Sequence, residues 1–132
     1  MTDVKEFTKR GEHERLKVKN GAIAMIRPIN ALATTHKYCQ IINISKGGLA
    51  FRCIDRNGES NEPFELDVLF IQDSICFTYL KNIPFKTVWV SHEPGETSSG
   101  HLKTRQLGVQ FGEMTPQQES QLDRFLEKCT IR

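Results

Sequence analysis

The chain has 132 residues, a length suited to one domain with one core, since a chain of this size buries about two-thirds of its unfolded surface. Hydrophobic residues make 38% and charged residues 26%, an ordinary globular composition rather than a disordered one. The net charge of +2 is too small for a polymeric nucleic-acid partner, so any anion must be held by a local cluster.

Residues 1–14 are polar and rich in charge (Lys5, Glu6, Lys9, Arg10, Glu12, His13, Glu14) and read as a flexible N-terminal arm, or a short helix, before a single domain over 15–132. Leu16, Val18, Ile23 and Met25 follow a period of two, broken at Asn20-Gly21. That predicts one interrupted strand or a small hairpin, ending at Arg27-Pro28. His36 to Ser45 and Leu49 to Cys53 predict the next two strands, and Asp55 to Pro63 a loop by composition. Phe64, Leu66, Val68 and Phe70 alternate on one face of a further strand. Ile75 to Leu80 and Ile83 to Ser91 come next, then a loop over Glu93 to Gly100. Lys103 to Phe111 is the last strand, with Leu107, Val109 and Phe111 alternating.

The C-terminal segment has a different period. Thr115 is a predicted N-cap, Pro116 suits the first helical position, and Gln118 completes a capping box. Leu122, Phe125, Leu126 and Cys129 share one helical face, so a helix is expected over 115–129. Six or seven short strands and one C-terminal helix predict a mainly β chain closed as a small antiparallel β-barrel. Trp89, Leu107, Phe111, Leu122 and Phe125 are assigned to its core.

No catalytic or metal signature emerges. His13, His36, His92 and His101 lack ligand spacing, and no phosphate-binding glycine motif is present, so no enzymatic role and no metal are expected. Of the four cysteines, Cys39, Cys53 and Cys76 lie in apolar strand-like segments and are expected as buried, reduced thiols. No apolar run is long enough to span a membrane. The first residues lack a secretory pattern, which makes the cytoplasm the expected compartment. Oligomeric state is left open between monomer and homodimer.

The stretch "QIINISKGGLAF" (Gln40 to Phe51) is the most informative one. Asn43 and Ser45 alternate with Ile42 and Ile44, so their amide and hydroxyl groups leave the strand on a polar face. Gly48 permits a positive φ or the close approach of a ligand or another backbone. From the residues alone, a hairpin turn with a local Ser or Asn hydrogen bond explains the pattern better than a ligand site does.

The segment resembles the (Asp/Asn)-x-Ser-x-x-Gly motif of PilZ domains, matched by Asn43, Ser45 and Gly48. "TVWVSHEPGETSSGHLKTRQLGVQF" (Thr87 to Phe111) is similar to the family's later strands, and "QLDRFLEK" (Gln121 to Lys128) to its closing helix. The likeness runs over about residues 9 to 128. It implies a PilZ-like split barrel whose ligand is cyclic di-GMP, bound singly or as a stacked pair. It further implies that Arg10 and Arg15 hold phosphate and guanine, that Asn43 and Ser45 hydrogen-bond the nucleotide, that Gly48 gives clearance and that Lys46 adds charge. The family's Arg-x-x-x-Arg pair is altered here: four residues before Arg15 stands Gly11, with Arg10 one place further away. Arginine grips phosphate or the guanine edge with a planar fork; glycine does neither. Two expectations follow from the resemblance. One is a cyclic di-GMP receptor that signals to an output protein. The other is an adaptor that has lost the nucleotide and acts through protein contacts.

Overall fold

The computed structural model describes residues 14–29, 36–56, 63–92 and 102–131. The expected arm lies outside these residues except for Glu14, and Arg10 and Gly11 lie outside with it.

The strands are β1 (Lys17–Val18), β2 (Ala22–Pro28), β3 (Lys37–Ile44), β4 (Gly48–Arg56), β5 (Phe64–Gln72), β6 (Ile75–Leu80), β7 (Phe85–His92) and β8 (Leu102–Phe111). The helix α1 (Pro116–Cys129) and the short β9 (Thr130–Ile131) end the chain. The main sheet has seven antiparallel strands in the order β6-β5-β2-β3-β4-β8-β7. It rolls up on itself. Phe64 of β5 stacks on Phe85 of β7 at 5.1 Å, although β2, β3, β4 and β8 lie between their strands in the sheet order. The Ile83 N–H donates to the Leu66 carbonyl at 2.9 Å across the same gap. This is the barrel expected from the strand count, closed at that seam by packed rings.

Its interior is filled by Ala24, Ile44, Leu49, Phe51, Leu66, Val68, Leu107 and Val109, each at most 1 or 2% exposed. The α1 face Leu122, Phe125, Leu126 and Cys129 covers one end of that core. Thr115 accepts from the Gln118 N–H while Gln118 accepts from the Thr115 N–H, both at 3.0 Å, so the expected capping box starts the helix.

Four details depart from the expectation. β1 and β2 do not form a hairpin with each other: β1 pairs with β9, a strand the sequence reading did not anticipate, in the register Lys17↔Ile131 and Val18↔Thr130. Cys39 and Cys53 are buried as expected but bonded to each other, because the β3–β4 register sets them directly opposite with Cα atoms 4.8 Å apart. Cys76 is exposed, since β6 ends the sheet and its first four residues lie at the surface. Trp89 is not a core residue. It is 42% exposed, because the β7 register shifts between Thr87 and Trp89 and the bulge turns the indole onto the outer face.

Candidate functional site

The site is assembled where β1 meets the end of β3. Leu16 and Val18 pack against the core, which leaves Arg15, Lys17 and Lys19 on the outward side of this segment. Leu16 and Ile44 exchange both backbone hydrogen bonds, at 2.8 and 3.0 Å. That bridge brings Arg15 beside Asn43, and Arg15 Nη1 donates to Asn43 Oδ1 at 3.1 Å.

After β3 the chain turns through Ser45-Lys46-Gly47. Ser45 is only 2% exposed. Its N–H donates to the Gly48 carbonyl at 2.8 Å, and its hydroxyl oxygen accepts from the Gly47 N–H at 3.1 Å. The Gly47 carbonyl accepts from the Phe111 N–H at 2.9 Å, which ties the turn to β8. The local hydrogen bond expected of a simple turn is therefore made, and it fixes the loop that adjoins the site.

Gly48 does not adopt a positive φ. A Cβ there would lie 2.1 Å from the Val109 carbonyl oxygen, so the close approach it makes possible is that of β8. The Lys46 ammonium reaches back to the α1 carboxylate of Asp123 at 3.3 Å, with both side chains exposed.

Strand register adds residues that the sequence did not mark. Asn43 faces Ala50, Ala50 faces Gly108, and Gly108 faces Trp89. One row across four strands thus has two of the smallest residues at its centre. The sheet surface is low there, and the Trp89 ring lies on it: a Cβ on Gly108 would come within 2.1 Å of the indole nitrogen. Beside this row lies a cavity of about 360 Å³ lined by Arg15, Ser45, Gly47, Trp89, Val109 and Gln110, among others. It combines a guanidinium, an exposed aromatic ring, a side-chain amide and the turn, with no carboxylate among its lining residues. Such a set can clamp an anion and stack a flat base. Of the residues expected to act together, the structure brings Arg15, Asn43, Ser45 and Gly48 to one place and points Lys46 toward α1. Trp89 and Gln110 escaped the sequence reading because alternation alone cannot see a bulge, and because Gln110 joins the site only through the pairing of β8 with β4.

The other polar clusters are structural. Arg27 donates to Glu65 and, at 2.8 Å, to the buried Asp67, which also accepts from the Asn82 N–H at 2.7 Å. The hydrogen bond that Arg27 donates to Asp67 holds its guanidinium more firmly protonated, against the opposing effect of burial. Burial pushes the Cys129 thiol and the Tyr79 phenol up from their ordinary values, and these two groups hydrogen-bond each other. No group of His, Cys, Asp and Glu suited to a metal occurs among the described residues, and none of their helices is long and apolar enough to cross a membrane.

The comparisons agree with this architecture. The structure is similar to the PilZ domain with c-di-GMP of YcgR from Escherichia coli, at 13% identity and a TM-score of 0.59 over 87% of each chain. At that identity the likeness speaks to the fold. None of the curated proteins compared matches the sequence. The family model of the PilZ domain matches residues 9–128, nearly the whole length. The chain belongs to the PilZ domain family.

Proposed function

We propose that this chain is a cyclic di-GMP receptor module, with the nucleotide seated on the outer face of β3, β4, β8 and β7. The observation that carries the reading is the Arg15–Asn43 contact at 3.1 Å on the edge of a carboxylate-free cavity. A guanidinium already turned to an amide acceptor loses little freedom when phosphate or a guanine edge takes that place. Arg15 would grip phosphate or guanine, Asn43 would meet a base edge, and the Trp89 face would stack a purine. Ser45 and Gly48 act one step back: the first shapes the turn, and the second lets β4 and β8 close beneath it. Lys46 would contribute by leaving its exposed partner Asp123. Arg10 would close over the nucleotide from the arm.

Signalling would follow from the same connections. The segment that carries Arg15 continues into β1, which pairs with β9 directly after α1. A ligand held by Arg15 would thus be felt at the end of the helix, a surface that an output protein can read.

A second reading rests on Gly11, which stands where the family places an arginine. On that reading the chain is an adaptor that binds protein without nucleotide. Calorimetric titration of the purified chain with cyclic di-GMP decides between them. Saturable heat that is lost in Arg15→Ala supports the receptor. The absence of heat sinks it and leaves the adaptor.

A further inference from the structure

The main sheet has two edges, β6 and β7. An unpaired edge invites another strand, and proteins blunt it with lysine, proline or a bulge. β7 carries Lys86 and the bulge between Thr87 and Trp89. β6 has no such guard over Ile75-Cys76-Phe77-Thr78, a run without charge or proline. Its own irregularity comes only after Thr78, which pairs with Leu69 while Leu80 pairs with Val68. All four residues are exposed, Ile75 at 55% and Phe77 at 51%. Among the described residues, β5 alone pairs with β6.

The β5–β6 hairpin fixes which backbone groups face outward. Asp73 and Ser74 have φ of 53° and 68°, so the two-residue turn is of the type I′ kind. Such a turn makes Gln72 and Ile75, which flank it, a hydrogen-bonded pair. The ladder alternates, so Phe77, opposite Phe70, again turns its N–H and C=O to β5. Cys76 and Thr78 turn theirs away from the sheet. A strand added at this edge must therefore bond to Cys76 and Thr78.

We propose that β6 pairs antiparallel with β6 of a second copy of this chain, about a two-fold axis at Phe77, to form a homodimer. In that register Cys76 of each copy faces Thr78 of the other, so the outward groups of both exchange backbone hydrogen bonds. Phe77 faces its own counterpart, and Phe70, opposite it on β5, widens the apolar face. The charges at the two ends of the strand select a second copy over a foreign strand. Asp73, just before β6, comes next to Lys81 of the second copy, just after it, and the reverse contact forms at the other end. Moving the axis to Cys76 or to Thr78 would set Asp73 against Tyr79 or Ile83 instead. The axis uses both β6 edges, so the assembly closes as a dimer and does not grow. A strand pair of this length is a small interface, which makes the dimer weak and concentration-dependent. None of these residues lines the Arg15–Trp89 cavity, so the pairing is independent of the nucleotide reading.

The test is analytical ultracentrifugation of the full chain from about 5 μM to about 1 mM, where a monomer–dimer equilibrium with a dissociation constant of about 10–100 μM is expected. Phe77→Lys sets two ammonium groups face to face at a half-exposed position, and should leave a monomer at every concentration with thermal unfolding close to that of the parent. Lys81→Glu should weaken the dimer about fivefold, and Asp73→Lys/Lys81→Glu should restore it. Thr78→Cys reads the register. With diamide as oxidant, Cys76 of one copy and the new thiol at position 78 of the other give two hydrogens to the reagent and form a disulfide, because such a pair has its Cα atoms about 5.5 Å apart. The parent, whose Cys76 lies diagonal to its counterpart, should cross-link far less. A chain that stays monomeric throughout, a dimer indifferent to Phe77→Lys, or a parent that cross-links as readily as Thr78→Cys overturns the proposal.

Discussion

Arg15 and Asn43 lie 28 positions apart in the chain, yet the arginine donates to the asparagine carbonyl at 3.1 Å. Their meeting depends on the Leu16–Ile44 bridge one residue further along each strand. If this pair is the centre of a nucleotide site, its removal should change binding far more than folding. Arg15→Ala is expected to weaken cyclic di-GMP by about 10- to 100-fold, the range for a charge-assisted hydrogen bond, with the melting temperature of the free protein nearly unchanged. Asn43→Ala should show a smaller loss of the same kind. Calorimetry with parallel thermal scans checks both.

Gly108 and Trp89 form a second diagnostic pair. Trp89 is the only tryptophan in the chain, so intrinsic fluorescence reports on this one site. Nucleotide that stacks on the exposed ring should change its emission in a saturable way. Gly108→Val would displace the indole, whose nitrogen lies 2.1 Å from the position of a Cβ. Its emission should then shift without nucleotide, and nucleotide affinity should fall at least tenfold. An unchanged affinity in this variant would remove Trp89 from the proposed site.

Gly48 tests a different property. A methyl group there meets the backbone carbonyl of Val109 at 2.1 Å, and neither strand can yield without parting β4 from β8. Gly48→Ala should destabilise the protein by about 2–4 kcal/mol, within the range of overpacked cores and broken ladders. Urea denaturation measures it. A stability equal to that of the parent would show that the clash relaxes at little cost.

The Cys39–Cys53 bond joins β3 to β4 across a sequence separation of 14, on the hairpin that carries Asn43 and Ser45. A cross-link of this loop size contributes about 3 kcal/mol by restricting the unfolded chain. The double variant Cys39→Ala/Cys53→Ala is expected to lose about 2–4 kcal/mol in urea denaturation, partly from the cavity its missing sulfurs leave. A free-thiol assay on the unfolded parent should detect two thiols, those of Cys76 and Cys129.

Alkaline pH should destabilise the fold through Cys129 and Tyr79. Burial raises the thiol from an ordinary value of 9.0 and the phenol from 10.0. The folded chain therefore keeps protons that the unfolded chain releases. The stabilisation from these groups is complete below about pH 9, and it declines as pH rises toward their folded values. The urea midpoint should fall between pH 8 and pH 10.5, and Cys129→Ala should lessen the slope in that interval.

Period and punctuation were legible in the sequence. The alternation of Phe64, Leu66, Val68 and Phe70 is a local property of the strand, and the Thr115-to-Gln118 capping box is a local property of the helix start; both stand as expected. Asn43, Ser45 and Gly48 were marked by their resemblance to the PilZ motif. What each of them touches was not legible. Gly48 allowed the approach of a ligand or of another backbone, and the neighbour it accommodates is the backbone of Val109.

The chain by itself determined the main strands, the place of the helix and the location of the polar turn, because each follows from residues a few positions apart. Tertiary structure decided the rest. The bulge in β7 moved Trp89 from the expected core to the outer face. The Leu16–Ile44 bridge carried Arg15 to Asn43. The β3–β4 register set Cys39 against Cys53. Each of these depends on which strands meet and in what register, and register is chosen by the whole core at once rather than by any one segment.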